Sequence, residues 1–222
     1  AGMSFFDAIN HAFAAISTGG FSTKPDSIGA WDSLSIESVS LVLMILGNLN
    51  FLTAYLLFKG KLRSIFRNGE VHVMGILLPI GMAVLFFKVA TILYASIGKA
   101  ARVAVFETVT SLTTTGFSTV GYNEWSALGF IVLILFMMIG GGTCSTAGGI
   151  KQHRIHLLAK AVWWDIKGHF MPRSVVMDRH VWQGEGREYI TDSKIKEVAV
   201  FVFLYCTTLV VGTAIIAYYG YS

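Results

Sequence analysis

The chain has 222 residues, of which 54% are hydrophobic and only 14% charged, against about 25% charged in soluble domains. With a mean hydropathy of +0.64, this excludes an ordinary water-soluble domain. The net charge of +4 is spread at the edges of apolar runs, as topology charges are, which argues against a nucleic-acid partner. Cys144 and Cys206 lie in or beside apolar segments, so neither a disulfide framework nor a zinc spacing follows. The six histidines likewise show no ligand spacing. The chain opens on Ala1 without a basic stretch and cleavage site, so it is not expected to be the start of a gene and no signal peptide can be claimed from it.

The first segment, Phe5–Ile16, is mildly apolar. As a helix it would measure about 18 Å, roughly half a bilayer. It runs into "FAAISTGGFST" (residues 13–23), and residues 34–58 follow as a first full span. A basic segment, 59–69, carries Lys59, Lys61, Arg63 and Arg67. Residues 71–97 form a second span, with Pro79 and Gly81 expected to kink it. Another half-length helix, 103–112, leads into "VTSLTTTGFST" (residues 109–119). The third span, 126–142, is short and ends in glycines. A basic linker, 151–194, combines an amphipathic helix (155–166, with Trp163 and Trp164) and a polar turn around "WQGEGRE", and suits a membrane surface. Residues 195–219 form the fourth span. Residues 59–69 and 151–196 hold 13 of the 17 Lys and Arg. The positive-inside rule places both in the cytoplasm and both Thr/Gly phrases outside.

The two phrases are one unit used twice. Thr18, Gly20, Phe21, Ser22 and Thr23 match Thr114, Gly116, Phe117, Ser118 and Thr119 at a constant offset of 96 residues. "WDSL" (31–34) and "WSAL" (125–128) follow in the same order, each Trp at the outer end of a span. A half-helix, an irregular loop and a full span make a re-entrant pore loop, because irregular backbone at membrane depth must line a cavity or be buried in protein. Backbone carbonyls can replace the water shell of an alkali cation without trapping it. Glycine allows the turn, Thr adds hydroxyl oxygen, and Phe21 and Phe117 are expected to pack behind the loops. The half-helices aim the negative ends of their dipoles at a cation. Two surface amphipathic helices would be the alternative to re-entrant loops.

"GGGTCSTAGGIK" (140–151) is not a phosphate-binding loop, lacking the Gly-Lys-Ser/Thr ending and a preceding strand. It reads as a break below the filter, able to obstruct or clear a pore, or as a glycine helix cap. A hydrolase with Cys144 or Ser145 as nucleophile and His153 or His156 as base is the competing chemistry, but no Gly-x-Ser-x-Gly elbow is present. His153 and His156 are instead expected as a solvated pair. Lys88, inside the second span, either tunes cation flow, or snorkels or pairs with an acid such as Glu37 or Glu107. Glu37, Asn48 and Asn50 are expected to make interhelical hydrogen bonds.

With these motifs on the page, the chain resembles the Trk/Ktr/HKT superfamily of potassium transporters, and within it the Trk-type membrane subunit. The resemblance rests on "HAFAAISTGGFST" (11–23), "TSLTTTGFST" (110–119), "GGGTCSTAGGIK" (140–151) and "PRSVV" (172–176), and covers essentially the whole chain. It implies an all-α membrane protein built of helix–pore-loop–helix repeats, four to a subunit. This chain supplies two re-entrant loops and about four transmembrane helices. Residues 1–69 would be the pore loop and inner helix of one repeat, 70–150 a complete repeat, 151–194 the cytoplasmic linker, and 195–222 the first helix of the next.

The function implied is potassium transport across the plasma membrane of a prokaryote, with no enzymatic activity and no cofactor. A sodium or non-selective cation channel is the alternative. Filter residues would be Thr18, Gly19, Gly20, Phe21, Thr114, Thr115, Gly116 and Phe117, with potassium at Thr18, Gly19, Thr114 and Thr115. The gating loop would be Gly140, Gly141, Gly142, Thr143, Cys144, Ser145, Thr146, Ala147, Gly148 and Gly149. The partners implied are the membrane, a second copy of the full-length subunit in a homodimer, and cytoplasmic nucleotide-binding regulatory subunits of the TrkA type.

Overall fold

A computed structural model describes residues 2–172, 178–183 and 186–220. The chain is an all-α membrane protein, with a small hairpin among the described residues of its linker. Helix α1 (Phe5–Ile16) starts where Ser4 Oγ accepts the Asp7 backbone N–H. It is inside out by the standards of a soluble helix. Asp7 and His11 face inward with Ala14 and Ala15, while Phe5, Phe6 and Phe13 are exposed. In a bilayer the outward face meets lipid or other apolar surface, so polar groups gather inside.

After a 3₁₀ turn (Ser27–Trp31) the first span runs as two helices, α2 (Leu34–Asn48) and α3 (Phe51–Phe58), bent by 114°. The unbroken helix expected over 34–58 is therefore corrected. Leu49 and Asn50 adopt extended ψ values of 141° and 136°, and Asn50 Oδ1 caps α3 by accepting the Leu52 N–H at 2.8 Å. Capping makes a new helix start locally cheaper than continuing the old one. A short helix α4 (Leu62–Ile65) turns the chain through the basic segment.

Helix α5 (Gly69–Leu85) passes through Pro79 and continues as a π turn (Phe86–Ala90) and α6 (Thr91–Leu93), giving one apolar helix of 25 residues. An irregularity, the π turn, thus follows Pro79 and Gly81 within the same helix. Gly81 serves packing, since a Cβ there would sit 2.3 Å from the Phe136 ring and 2.8 Å from Thr108 Cγ2. Helix α7 (Ile97–Leu112) starts six residues before the expected half-helix and is buried over most of its length. It packs against α2, α5 and α8 (Ala127–Ile139). Helix α8 has 13 residues, about 20 Å, and stops short of the expected span end because Gly140 takes φ +71°. By length and apolarity, two helices suffice to cross a membrane among the described residues, three if the bent pair counts as one.

The linker forms α9 (Gln152–His169), longer than the amphipathic stretch expected. An antiparallel hairpin follows, β1 (His180–Gln183) with β2 (Gly186–Tyr189), where a polar turn was expected. Val181 anchors it in a small core with Leu157, Trp164, Ile190 and Val198, and the Arg67 and Arg187 guanidinium groups stack on Trp182. Most of "PRSVV" lies outside the described residues. Helix α10 (Asp192–Tyr218), 27 residues long and capped by Thr191, packs on α9. His153 and His156 are not a solvated pair. Both are half-buried, and His156 fills the space beside Gly69, where a Cβ would meet its ring at 2.3 Å. Burial, reinforced by Lys160, His72 and His153, pushes the His156 pKa down to about 4.

Candidate ion pathway and the glycine loop beneath it

Each half-helix ends in the same way. Ser17 and Thr113 N–H donate four residues back, to Phe13 O and Val109 O. Thr18 and Thr114 N–H donate three back, to Ala15 O and Ser111 O, and Gly19 and Thr115 N–H donate five back, to Ala14 O and Thr110 O. This pair of bonds is a Schellman closure, whose left-handed position is usually glycine. Here it is Thr18 (φ +50°) and Thr114 (φ +55°), with left-handed glycines two residues on, Gly20 (φ +66°) and Gly116 (φ +86°). A β-branched residue in that region is an outlier whose strain is of order 1–3 kcal/mol. Its appearance at equivalent places in both loops ties the strain to a shared task.

The loops touch each other. A Cβ on Gly20 would lie 2.0 Å from Thr115 O, so only glycine fits that approach, whereas Gly116 has open space around it. Ser118 O accepts the Gly29 N–H at 3.0 Å. Phe117 is fully buried, stacked on the His11 ring of the first half-helix at 5.6 Å. Phe21 departs from expectation: it is exposed, because no described residue packs over its ring as His11 does over Phe117.

Different side chains hold each loop's outgoing arm. In the first, Thr23 Oγ1 donates to Asp7 at 2.6 Å, and His11 Nε2 faces Ser22 Oγ at 2.8 Å while its Nδ1 donates to Asp7 O. In the second, the buried Glu107 carboxylate accepts from Thr119 N–H, Thr119 Oγ1 and the Tyr122 hydroxyl, at 2.9, 2.9 and 2.5 Å. Glu37 is taken by Arg102, at 2.6 and 3.0 Å. Neither pairing expected for Lys88 forms; it is exposed on the π turn, without an ion pair among the described residues.

The glycine stretch caps α8, as one of its two readings had it, and then folds back as a tight loop. Ile150 and Lys151 N–H donate to Met138 and Ile139 O, and Gly141 N–H to Gly148 O. A Cβ on Gly140 would lie 2.1 Å from Gly148 O, and one on Gly141 2.3 Å from Asn48 Oδ1. Lys151 Nζ donates to the Ala147 carbonyl. The loop meets both half-helix ends. Thr146 Oγ1 donates to Ile16 O (2.9 Å) or Gly47 O (3.0 Å) and lies 3.4 Å from Thr18 Oγ1, while Gly148 N–H donates to Thr114 Oγ1 at 2.6 Å. Both left-handed threonines thus contact it. The hydrolase arrangement does not form, as the Ser145 hydroxyl donates to Gly142 O at 2.6 Å and Cys144 is exposed at φ +56°.

Sequence reasoning missed Asp7, His11, Glu70, Arg102 and Gln152. The first two are polar residues of a half-helix, and that was the available signal: Asp7 and His11 repeat every four residues along one face.

Residues 1–217 match the family model described as "TrkH: Cation transport protein". The Trk system potassium uptake protein TrkH of Vibrio parahaemolyticus is 34% identical over 184 residues, covering 79% of this chain and 37% of that protein. The TrkG protein of Escherichia coli is 29% identical over 224 residues, covering the whole chain and 45% of its own length. The chain therefore spans less than half the length of these relatives. The crystal structure of the potassium transporter TrkH from V. parahaemolyticus superposes with a TM-score of 0.82 and 29% identity, over 97% of this chain and 46% of that one. On these grounds the chain belongs to the TrkH family of cation transport proteins and is an integral, multi-pass membrane protein.

Proposed function

We propose that this chain supplies two of the four filter loops of a potassium pathway in the cytoplasmic membrane, with residues 140–149 as its gate. The observation that carries the reading is the doubled loop ending: left-handed Thr18 and Thr114, left-handed Gly20 and Gly116, and one glycine loop bonded to both. Successive residues alternating between left-handed and other backbone turn their carbonyls in a way regular structure does not. Carbonyls and hydroxyls of Thr18, Gly19, Thr114 and Thr115 then replace the water of potassium, with Gly20 and Gly116 permitting the turn and Phe117 bracing it. In a four-repeat ring a neighbouring half-helix would cover Phe21 as the first covers Phe117. The names of the relatives, potassium uptake proteins of a Trk system, support potassium as the cargo. A homodimer of the full subunit, and nucleotide-binding TrkA-type partners against α9 and the hairpin, complete the proposal. No catalytic chemistry is assigned to the chain.

The glycine loop acts as a docked plug, its hydroxyl and amide donors occupying oxygens at the half-helix ends. The test is rubidium and sodium uptake by potassium-starved, uptake-deficient cells carrying the full subunit. Gly116→Ser is expected to lower the rubidium-to-sodium flux ratio, and an unchanged ratio overturns the filter assignment. Deleting residues 143–146 is expected to raise ungated flux; unaltered flux removes the gate. A wild-type ratio near one would favour the non-selective reading.

A further inference from the structure

The glycine loop carries a positive charge of its own. Lys151 closes the stretch, and its backbone is pinned on both sides: its N–H donates to Ile139 O, and its carbonyl accepts the Arg154 and Ile155 N–H groups that begin α9. Between these bonds it adopts φ +84° and ψ 133°, backbone that glycine tolerates and an L side chain strains against. The side chain then turns back over the loop. Its half-buried ammonium donates to the Ala147 carbonyl and lies 3.5 Å from Ser145 O.

No carboxylate pairs with this ammonium among the described residues. Glu70 attracts it from beyond ion-pair distance, with one oxygen on the Thr143 N–H at 2.8 Å. Arg154 is turned to the Ile150 carbonyl and the Phe201 ring. The loop is thereby sorted by polarity. Its donors, Thr146 Oγ1 and Gly148 N–H, meet the half-helix ends, while the carbonyls on either side of Thr146 face Lys151. At the base of the loop Gln152 Nε2 donates to Gly140 O at 3.0 Å. An ammonium is a compact point charge, and backbone carbonyls are the ligands that otherwise receive a permeating alkali cation.

We propose that Lys151 is a tethered cation of the gate: its ammonium occupies the Ser145 and Ala147 carbonyls where a mobile ion would otherwise sit, and so keeps the glycine loop docked on the half-helix ends. It is a positioning residue that acts through the loop. The inference rests on the gating role proposed above for residues 140–149.

The test measures rubidium flux through the full subunit in proteoliposomes. Lys151→Gly relieves the backbone at φ +84°, so a lysine needed only for the turn predicts unchanged flux. The tethered cation predicts that basal flux rises about tenfold or more, as loss of one charged hydrogen bond allows. The side-chain atoms removed amount to n-butylammonium, which is expected to lower that flux saturably toward the wild-type level, while n-butanol does not. Lys151→Met fills the space without the charge and is expected to raise flux with no rescue. Wild-type flux in Lys151→Gly overturns the proposal, as does raised flux that the amine leaves untouched. Rescue by n-butanol to the same extent overturns it too, since packing and not charge would then close the loop. So does equal inhibition of the 143–146 deletion by the amine, which would place the amine in the filter. Should Lys151→Gly not fold, Lys151→Met decides: raised basal flux supports the proposal and wild-type flux overturns it. Raised flux in the 143–146 deletion beside wild-type flux in Lys151→Gly strikes this inference and leaves the gate; unaltered flux in both strikes the gate itself.

Discussion

The two loops that end α1 and α7 share a backbone and almost none of its supports. Both close their helices through the same three hydrogen bonds, with a left-handed threonine and then a left-handed glycine. Yet a carboxylate with three donors holds the second arm, and an aspartate and a histidine divide that work in the first. The second loop is also wedged by a buried Phe117, whereas Phe21 is exposed. The backbone path is the common requirement, and the side chains that enforce it are interchangeable as long as donors meet acceptors. The second loop, held by more buried bonds, is expected to be the stiffer.

Removing its anchor should break the comparison most. Glu107→Ala strands the Thr119 N–H, the Thr119 hydroxyl and Tyr122, and is expected to cost about 3 kcal/mol or more, read as a lower melting midpoint and lost rubidium uptake. Wild-type uptake would show that the arm holds itself. The glycines come next and should differ from one another. Gly20→Ala drives a methyl into the Thr115 carbonyl, an overpacking of about 1–3 kcal/mol, with flux strongly reduced. Gly116→Ala meets open space and only the positive φ, about 1 kcal/mol; equal losses in the two variants would refute the close approach of the loops. His11→Gln removes the ring that faces Ser22 and stacks on Phe117. It is expected to cost roughly 1 kcal/mol and to loosen the first loop more than the second, measurable as hydrogen exchange at the two arms.

The last prediction lies outside both loops, leaves flux untouched and serves as their control. His156 has its pKa lowered from 6.5 to about 4 by burial, so the unfolded chain binds the extra proton first. Stability on this account is full above about pH 6.5, falls as pH drops toward 4, and levels below. His156→Gln should flatten that slope in melts between pH 7 and 4 without altering flux selectivity; an unchanged slope would assign the acid sensitivity elsewhere.

Much of the membrane architecture was legible because it follows from periodicity and composition. Apolar runs locate helices, and the repeated Thr/Gly phrase marks two equivalent loops. The glycine stretch announced a break in α8, and Gly140 makes it. Less legible was whatever depends on distance across the fold. Residues 34–58 look like one helix; the Asn50 cap restarts it, and contact with the glycine loop answers the carbonyl the bend frees, as Asn48 O accepts the Gly142 N–H at 3.1 Å. Glu37 offered no sign that Arg102, 65 residues on, would claim it before Lys88.

What the sequence determined by itself is local and repetitive: which segments are helical, and that the two half-helices stop alike at Ile16 and Leu112. It could do so because helix propensity, capping and hydropathy act within a few residues of each position. Only the tertiary structure decided which Phe is buried, which carboxylate meets which donor, and that Thr146 meets the end of α1. Those outcomes depend on close packing between segments far apart in the chain, where an ångström separates a hydrogen bond from an unpartnered oxygen.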